Sequence, residues 1–379
     1  MKRLVILGAT GSVGRSALAV VRRHPARFKV VGLAAGRSVA ALEALAAEFR
    51  PGRVAVSDPA ALDGRPELRA AGWRAGAGGV AELAAIPDAD IVVNAIVGAA
   101  GLQHTIASLE AGKRCALANK ESLVAAGEIV LDAARRGGGE LVPVDSEHSA
   151  ILQCIGEARR EEVRRIILTA SGGPFRELDP AMLEQVDAAM ALKHPTWEMG
   201  AKITVDSATL ANKALEVIEA HFLYRLPYHR IDVVVHPTSI VHSFVEFVDG
   251  SVLAQMGEPN MELPILHALT WPRRPPDRAL CTFDPLRSSP LTFEPVDTER
   301  FPLFGLGVEA GRAGGAAPAV FNAANEVAVK AFLEGMVSFR RMAGVVAGAL
   351  EVLGGRTANS LDEILEVDGA ARRHAASLV

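Results

Sequence analysis

The chain has 379 residues, half of them hydrophobic, and a formal net charge of −4. This length exceeds what one hydrophobic core usually supports, so we expect two or three domains. The few aromatic residues are not interleaved with Lys or Arg, which excludes the usual nucleic-acid surface. No stretch reaches the roughly 18 apolar residues of a membrane span. Three widely spaced cysteines indicate neither disulfides nor zinc, so we expect a cytoplasmic protein with no membrane partner.

Residues 1–149 alternate short apolar runs with Ala- and Leu-rich amphipathic stretches. This alternation predicts repeated β-α units and an α/β, Rossmann-like domain with a parallel sheet. The predicted buried strands are residues 4–7, 30–33, 91–97 and 116–118.

The first predicted strand runs into Gly8-x-x-Gly11-x-x-Gly14, which opens a helix. Glycines in this position let the backbone approach a pyrophosphate at a helix N-terminus, so we predict a dinucleotide cofactor here. The alternative is a tight turn without function, which the position at the first β-α crossover disfavours.

The second predicted strand leads into Gly36-Arg37-Ser38 instead of the Asp or Glu that would bind a ribose 2′-hydroxyl. A guanidinium and a hydroxyl suit a 2′-phosphate, so we predict NADP in preference to NAD. A solvated Arg37 at the start of a surface helix is the alternative.

Asp145 and Glu147 follow the apolar residues 141–144. If that strand continues, both carboxylates leave the same face and require a cation between them. Capping of a helix N-terminus is an equally weighted alternative. Asn212 and Glu216, with Lys213 beside them, are one helical turn apart. They offer a further oxygen ligand and an anion-binding ammonium, or alternatively a solvated helix face.

Residues 150–270 predict a central α+β catalytic domain with strands at 165–170, 231–235, 239–248 and 251–256. Asp249-Gly250 is a hairpin signal between the last two. Clustered prolines make residues 271–295 a predicted linker. Residues 296–379 predict a C-terminal helical bundle, with helices at 319–333, 339–353 and 360–365.

The connection from about residue 173 to residue 200 is bounded by glycines and contains Trp197 and Met199. We predict a loop that closes over a reactive intermediate, with Trp197 as its cover. Core packing of Trp197, and an ordinary surface position for His194, are the alternatives.

Several long motifs carry a family resemblance, in the family's order and over nearly the whole chain. They are GATGSVG at 8–14, ANKES at 118–122, PVDSEH at 143–148, ASGGPF at 170–175, HPTWEMG at 194–200, DSATLANK at 206–213 and NAANE at 322–326. The chain resembles the 1-deoxy-D-xylulose 5-phosphate reductoisomerases of the non-mevalonate isoprenoid pathway. The resemblance implies conversion of that sugar phosphate to 2-C-methyl-D-erythritol 4-phosphate with NADPH and Mg²⁺ or Mn²⁺, in a homodimer formed through the central domain.

The resemblance also implies roles for individual residues. The implied metal ligands are Asp145, Glu147 and Glu216. The implied catalytic residues are these three with Lys120 and His194. The implied substrate-binding residues are Lys120, Ser146, Glu147, Ser171, His194, Ser207, Asn212, Lys213 and Glu216. The implied cofactor-binding residues are Thr10, Gly11, Ser12, Val13, Gly36, Arg37, Ser38, Asn119, Glu121 and Gly200.

Two other functions compete with this one. A semialdehyde dehydrogenase also begins with such a glycine loop but needs an activated thiolate, and none of the three cysteines has an activating neighbour in sequence. A regulator that binds NADP without catalysis is the second, and the intact set of Asp145, Glu147, Lys213 and Glu216 argues against it.

Overall fold

The computed structural model describes residues 1–197 and 199–379, and the chain forms two compact units. The first unit comprises Met1–Ser122, Val130–Ser149 and Asn260–Cys281, and the second comprises Leu123–Ile129, Ala150–Pro259 and Thr282–Val379. The strands are β1 Lys2–Leu7, β2 Phe28–Ala35, β3 Arg53–Val56, β4 Arg74–Ala75, β5 Ile91–Asn94, β6 Arg114–Leu117, β7 Glu140–Pro143, β8 Val163–Ala170, β9 Ile231–Val235, β10 Val241–Phe247 and β11 Val252–Met256. The helices are α1 Ser12–Arg23, α2 Val39–Phe49, α3 Pro66–Ala70, α4 Ala77–Ala84, α5 Leu102–Glu110, α6 Lys120–Gly137, α7 Ser146–Ile155, α8 Ala188–Ala191, α9 Ala201–Ala208, α10 Ala211–Tyr224, α11 Glu262–Thr270, α12 Pro302–Ala313, α13 Ala317–Leu333, α14 Arg341–Leu353 and α15 Leu361–Ser377.

The first unit is built on a seven-stranded sheet in the order β4-β3-β2-β1-β5-β6-β7, and every neighbouring pair is parallel. The apolar runs predicted as buried strands lie in β1, β2, β5 and β6, so the Rossmann-like prediction is confirmed. The third predicted strand is shorter than expected. It ends at Asn94, whose amide turns away to donate to Gly101 O at 2.9 Å and to Thr105 Oγ1 at 2.8 Å.

The strand order of this sheet reverses at β1. The chain steps outward from β1 through β2 and β3 on one side and from β5 through β7 on the other. Parallel α/β sheets bind nucleotides at the carboxyl edge beside such a switch point. The Gly8 loop therefore leaves β1 where the fold offers a nucleotide site.

The second unit contains a four-stranded sheet in the order β11-β10-β8-β9. β10 is antiparallel to β8 and β11, whereas β8 and β9 are parallel. The hairpin predicted at Asp249-Gly250 is confirmed, because β10 and β11 flank that turn and Gly250 has a φ of +88°. β9 spans the predicted residues 231–235.

Helices α9, α10 and α12–α15 share the largest apolar core of the second unit, with Phe321 fully buried in it. The predicted helical bundle is confirmed by α13, α14 and α15. The last helix is longer than the predicted residues 360–365 because Ser360 and Glu363 form a capping box at its start and an Ala-rich sequence continues it to Ser377.

Residues 260–281 lie in the first unit, where ion pairs hold them to the end of α1. Arg23 Nη1 lies 2.6 Å from Glu262 Oε2, and Arg23 Nε donates to Asp277 Oδ2 at 2.8 Å. His24 Nε2 lies 3.0 Å from the same Asp277 oxygen.

Among the described helices, none combines the length and apolar character needed to cross a membrane.

Candidate active site

The glycine loop between β1 and α1 exposes backbone at the start of a helix. Gly8 has a φ of +79°, and a Cβ there would lie 2.5 Å from Ala95 O, so glycine is required where the loops after β1 and β5 approach each other. Gly11 occupies the N-cap position of α1, and Gly11 and Ser12 are exposed. The N-terminus of α1 is therefore accessible at these two residues, as a pyrophosphate site requires.

Arg37 follows β2 and is exposed, with 87% of its side chain accessible. Its Nε donates to Asp58 Oδ2 at 2.5 Å, and Asp58 Oδ1 accepts from Ala60 N at 3.0 Å. Asp58 comes after β3, one strand beyond the end of β2, where NAD-binding proteins carry an acidic residue. The carboxylate therefore fixes Nε of the guanidinium while the Arg37 side chain stays largely in solvent.

Asn119 and Glu121 stand at the junction of β6 and α6, and both are buried. Asn119 Nδ2 donates to Ile96 O at 2.7 Å, to Gly98 O at 2.8 Å and to Glu121 Oε2 at 3.0 Å. These bonds hold the loop after β5 against the start of α6. In this structure the two residues shape the loop at the switch point.

Asp145 lies at the junction of β7 and α7, not within a continuing strand. β7 ends at Pro143 and α7 begins at Ser146, so the prediction that Asp145 and Glu147 leave one face of a strand is wrong. Proline donates no backbone hydrogen bond, which favours ending the strand there. Asp145 Oδ1 accepts from Glu147 N at 3.2 Å, as a residue before a helix does, and Ser146 Oγ donates to Glu147.

Lys120 places an ammonium against this carboxylate. Its Nζ donates to Asp145 Oδ2 at 2.7 Å, and the Lys120 and Asp145 side chains are only 6% and 12% exposed. The two oxygens of Asp145 are thus oriented by the start of α7 on one side and by Lys120 on the other. This arrangement keeps a charged carboxylate in a largely dry place.

In the second unit, His194 joins two serine hydroxyls. Its Nε2 lies 3.0 Å from Ser171 Oγ and 3.1 Å from Ser207 Oγ. A Cβ on Gly173, which has a φ of +69°, would lie 2.7 Å from Ser207 O, so glycine is required for the chain after β8 to pass this close to α9. The structure brings together Ser171, His194 and Ser207, which the resemblance implied as substrate residues.

The hydrogen bonds of the second ring nitrogen, Nδ1, determine which nitrogen of His194 carries the proton. Nδ1 accepts hydrogen bonds from Thr196 N at 3.1 Å and Trp197 N at 2.9 Å. A backbone N–H can only donate, so Nδ1 carries no proton and the neutral ring is protonated on Nε2. Burial lowers the pKa of His194 to about 4. At neutral pH, His194 is therefore an uncharged donor toward the serine hydroxyls.

Asn212, Lys213 and Glu216 share one face of α10, as their spacing predicted. Asn212 Nδ2 donates to Glu216 Oε1, and Lys213 Nζ donates to Glu216 Oε2. The Lys213 and Glu216 side chains are 4% and 1% exposed. The alternative of a solvated helix face is wrong for these two residues.

The connection from β8 to α9 contains a short 3-10 helix, Pro180–Glu184, and α8. Its first part is buried in the second unit, where the Phe175 ring packs edge-on against Phe339 at 5.0 Å between centroids. Further along, the half-buried Trp197 ring lies 6.3 Å from the ring of His242. Glu198, within the predicted covering loop, lies outside the described residues, and the closing motion stays a prediction.

The chain is similar over its whole length to proteins of one kind. A family model for 1-deoxy-D-xylulose 5-phosphate reductoisomerase matches residues 4–127, and two models of its C-terminal domain match residues 141–224 and 256–374. The reductoisomerase of Chlorobium chlorochromatii is 52% identical over 375 residues, with 98% of both chains covered. This chain belongs to the 1-deoxy-D-xylulose 5-phosphate reductoisomerase family.

Other relatives and solved structures agree with this assignment. The reductoisomerase of Chlorobaculum tepidum is 50% identical over 387 residues, with 100% of both chains covered. A crystal structure of DOX-P reductoisomerase in complex with NADPH, fosmidomycin and magnesium superimposes with a TM-score of 0.94 at 39% identity, covering 100% of this chain and 98% of that one. The Zymomonas mobilis reductoisomerase in complex with NADPH gives a TM-score of 0.91 at 43% identity, with the same coverage.

Membership in this family makes the chain an enzyme and removes both competing functions. The cysteines agree with this. Burial raises the pKa of Cys115 to about 12, and Cys281 Sγ donates to Asp277 O at 3.5 Å. The raised pKa of the Cys115 thiol is the opposite of the lowered pKa of a nucleophile, which a semialdehyde dehydrogenase requires.

Proposed function

We propose that this enzyme converts 1-deoxy-D-xylulose 5-phosphate to 2-C-methyl-D-erythritol 4-phosphate. The carbon skeleton rearranges to an aldehyde, which takes a hydride from NADPH and a proton from solvent to give an alcohol and NADP⁺. The observation that carries the proposal is the match to reductoisomerases along the entire chain, which includes every motif that bears a candidate site residue. Consumption of NADPH that requires both the sugar phosphate and Mg²⁺ tests it. Oxidation of NADPH in the absence of both the sugar phosphate and Mg²⁺, or no oxidation when both are present, would contradict the proposal.

The first unit fits the adenine-nucleotide half of NADPH. Exposed backbone at Gly11 and Ser12 suits the pyrophosphate, with Thr10 and Val13 lining the same loop. Gly36, Arg37 and Ser38 are exposed at the end of β2, where a guanidinium and a hydroxyl suit the 2′-phosphate. We assign Asn119, Glu121 and Gly200 to the same cofactor. Relatives have been solved with NADPH bound.

Asp145, Glu147 and Glu216 each offer a carboxylate oxygen and are the proposed ligands of one Mg²⁺ or Mn²⁺. An oxygen-only donor set suits a hard divalent cation. The ion supplies Lewis-acid polarisation of the substrate's keto and hydroxyl oxygens. The role of the chain is to orient the carboxylates, through Lys120 and the start of α7 at Asp145 and through Lys213 and Asn212 at Glu216.

The second unit fits the substrate phosphate. Ser171, Ser207, Asn212 and the neutral His194 supply uncharged donors, and Lys213 supplies a positive charge. Several donors with one ammonium are a sensible partner for a phosphate dianion. We assign Ser146, together with Lys120, to the reacting end of the substrate, because both adjoin the proposed metal ligands in the first unit.

We assign residues 1–149 to NADPH binding, 150–270 to catalysis and dimerisation, 271–295 to a linker and 296–379 to the C-terminal helical domain. We propose a cytoplasmic homodimer formed through the central domain. The position of β11 at the sheet edge supports a partner chain there, because its residues Val252 and Leu253 are 51% and 49% exposed. Sedimentation velocity tests the dimer, and Leu253→Lys should shift the enzyme to monomer.

A further inference from the structure

The corner between α9 and α10 carries two parts of the proposed phosphate site. Ser207 lies in the last turn of α9, and Asn212 and Lys213 lie in the first turn of α10. Between them Leu210 adopts left-handed backbone, with a φ of 58°. A branched residue seldom takes this conformation, and it persists only where the surroundings hold it. The spacing of the phosphate donors therefore depends on what holds this corner.

Asp206, the residue before Ser207, is a buried carboxylate with 1% exposure. Its Oδ1 accepts a hydrogen bond from Asn325 Nδ2 at 2.7 Å, and its Oδ2 lies 2.8 Å from Lys202 Nζ. Its backbone oxygen accepts from Thr209 Oγ1 at 3.2 Å. A carboxylate so far from water is stable only with such partners, so its position is dictated by them.

Asn325, the hydrogen-bond donor to Asp206, lies on a different helix. It is fully buried on α13, the central helix of the large apolar core. Neighbouring residues of that helix, such as Phe321 and Ala324, are also fully buried, so α13 is a rigid support. The bond from Asn325 to Asp206 spans 119 positions in the chain and ties the α9–α10 corner to this support.

We infer that Asp206, held by Asn325, is a positioning residue that sets the α9–α10 corner for the substrate phosphate. The inference rests on the proposed function, because it takes Ser207, Asn212 and Lys213 as phosphate donors. Neither Asp206 nor Asn325 touches the substrate in this scheme. They act through the backbone of the corner, and binding groups lose much of their effect when misplaced by even about 1 Å.

The test compares Asn325→Ala with a matched variant on the same helix, Asn322→Ala. Asn322 is equally buried, but its amide donates to Glu326 on α13 itself, at 3.0 Å, and not to α9. Both variants lose a buried amide and should lower the melting temperature similarly. The readout is the ratio of kcat/KM for 1-deoxy-D-xylulose 5-phosphate to that for 1-deoxy-D-xylulose, with the dissociation constant of NADPH measured beside it.

We expect Asn325→Ala to reduce this phosphate preference by roughly tenfold or more, the usual effect of losing a hydrogen bond to a charged group. NADPH affinity should be unchanged, and Asn322→Ala should keep the wild-type preference. Asp206→Asn retains an acceptor for the Asn325 amide and should keep most of the preference, whereas Asp206→Leu should lose it. These two variants give the same comparison if Asn325→Ala does not fold.

The outcomes separate this inference from the proposed function. If the wild type turns over the sugar phosphate with a strong phosphate preference that Asn325→Ala and Asp206→Leu retain, the positioning role is contradicted and the function stands. If the wild type itself shows no phosphate preference, the proposed phosphate site is contradicted and the positioning role falls with it. If Asn325→Ala and Asn322→Ala lose the same amount of phosphate preference, the Asn325–Asp206 bond has only a structural role and the inference is contradicted.

Discussion

Lys213 Nζ and Glu216 Oε2 form a buried ion pair on consecutive turns of α10, with side chains 4% and 1% exposed. A buried charge is tolerated only when it is neutralised, so each residue depends on the other. The proposed phosphate ligand and the proposed metal ligand are thereby coupled on one helix face.

Lys213→Ala should weaken selection of the substrate phosphate. The lost charge-assisted contact corresponds to about 1.5–3 kcal/mol, or roughly 10- to 100-fold in kcat/KM for the phosphorylated sugar. Turnover of unphosphorylated 1-deoxy-D-xylulose should lose only the part that depends on Glu216, so the preference for the phosphorylated sugar should fall. Steady-state kinetics with both sugars measures this, and a variant that keeps the full wild-type preference would place the phosphate elsewhere.

Arg37→Ala should weaken NADPH binding by roughly 10- to 100-fold and leave NADH binding unchanged, because only NADPH carries the 2′-phosphate. Arg22→Ala is a matched control, since it removes the same charge from another exposed arginine of the first unit, one that pairs with Glu48. Titration of both nucleotides by fluorescence provides the measurement. Equal losses for NADPH and NADH would contradict the assignment of Arg37.

His267 should make the enzyme less stable in mild acid. Burial, and secondarily the charge of Arg274, lowers its pKa from 6.5 to about 4. Between pH ~4 and ~6.5, His267 is therefore protonated in the unfolded chain but neutral in the folded chain. The contribution of neutral His267 to the free energy of unfolding is complete above pH ~6.5 and is lost as the pH falls toward 4. His267→Phe preserves the edge contact with Trp271, 5.2 Å between ring centroids.

The free energy of unfolding, measured by urea titration between pH ~4.5 and ~7, should fall less steeply in His267→Phe than in the wild type. An unchanged slope in His267→Phe would show that His267 titrates normally.

Trp197 should report closure of the loop that carries it. Its half-buried ring lies near His242 and belongs to the connection between β8 and α9. Tryptophan fluorescence should change when the sugar phosphate is added, and Trp197→Phe should abolish that change. A response of unchanged size in the variant would assign the signal to Trp73 or Trp271 and leave the covering loop unsupported.

The features that the sequence predicted well are local ones. The shared face of Asn212, Lys213 and Glu216 follows from helical geometry, and the hairpin at residues 249–250 follows from its turn residues. Asp145 and Glu147 were misplaced because strand alternation and helix capping fit the same pattern, and the end of β7 at Pro143 decides between them.

The features that the sequence could not predict depend on distant partners. Arg37 meets Asp58, which is 21 positions away on the next strand's loop, and Asp206 meets Asn325 across 119 positions. The tautomer of His194 is set by two backbone N–H groups whose direction only the folded chain provides. Periodicity carries no information about such contacts.

Identification of the product tests the central claim most directly. Purified enzyme is incubated with 1-deoxy-D-xylulose 5-phosphate, NADPH and Mg²⁺, and the products are followed by NMR alongside nucleotide absorbance. We predict the branched polyol 2-C-methyl-D-erythritol 4-phosphate, formed in equal amount to NADP⁺, with both products absent in EDTA and in Asp145→Asn. Oxidation of NADPH without this branched product, or full turnover in the metal-free enzyme, would contradict the account.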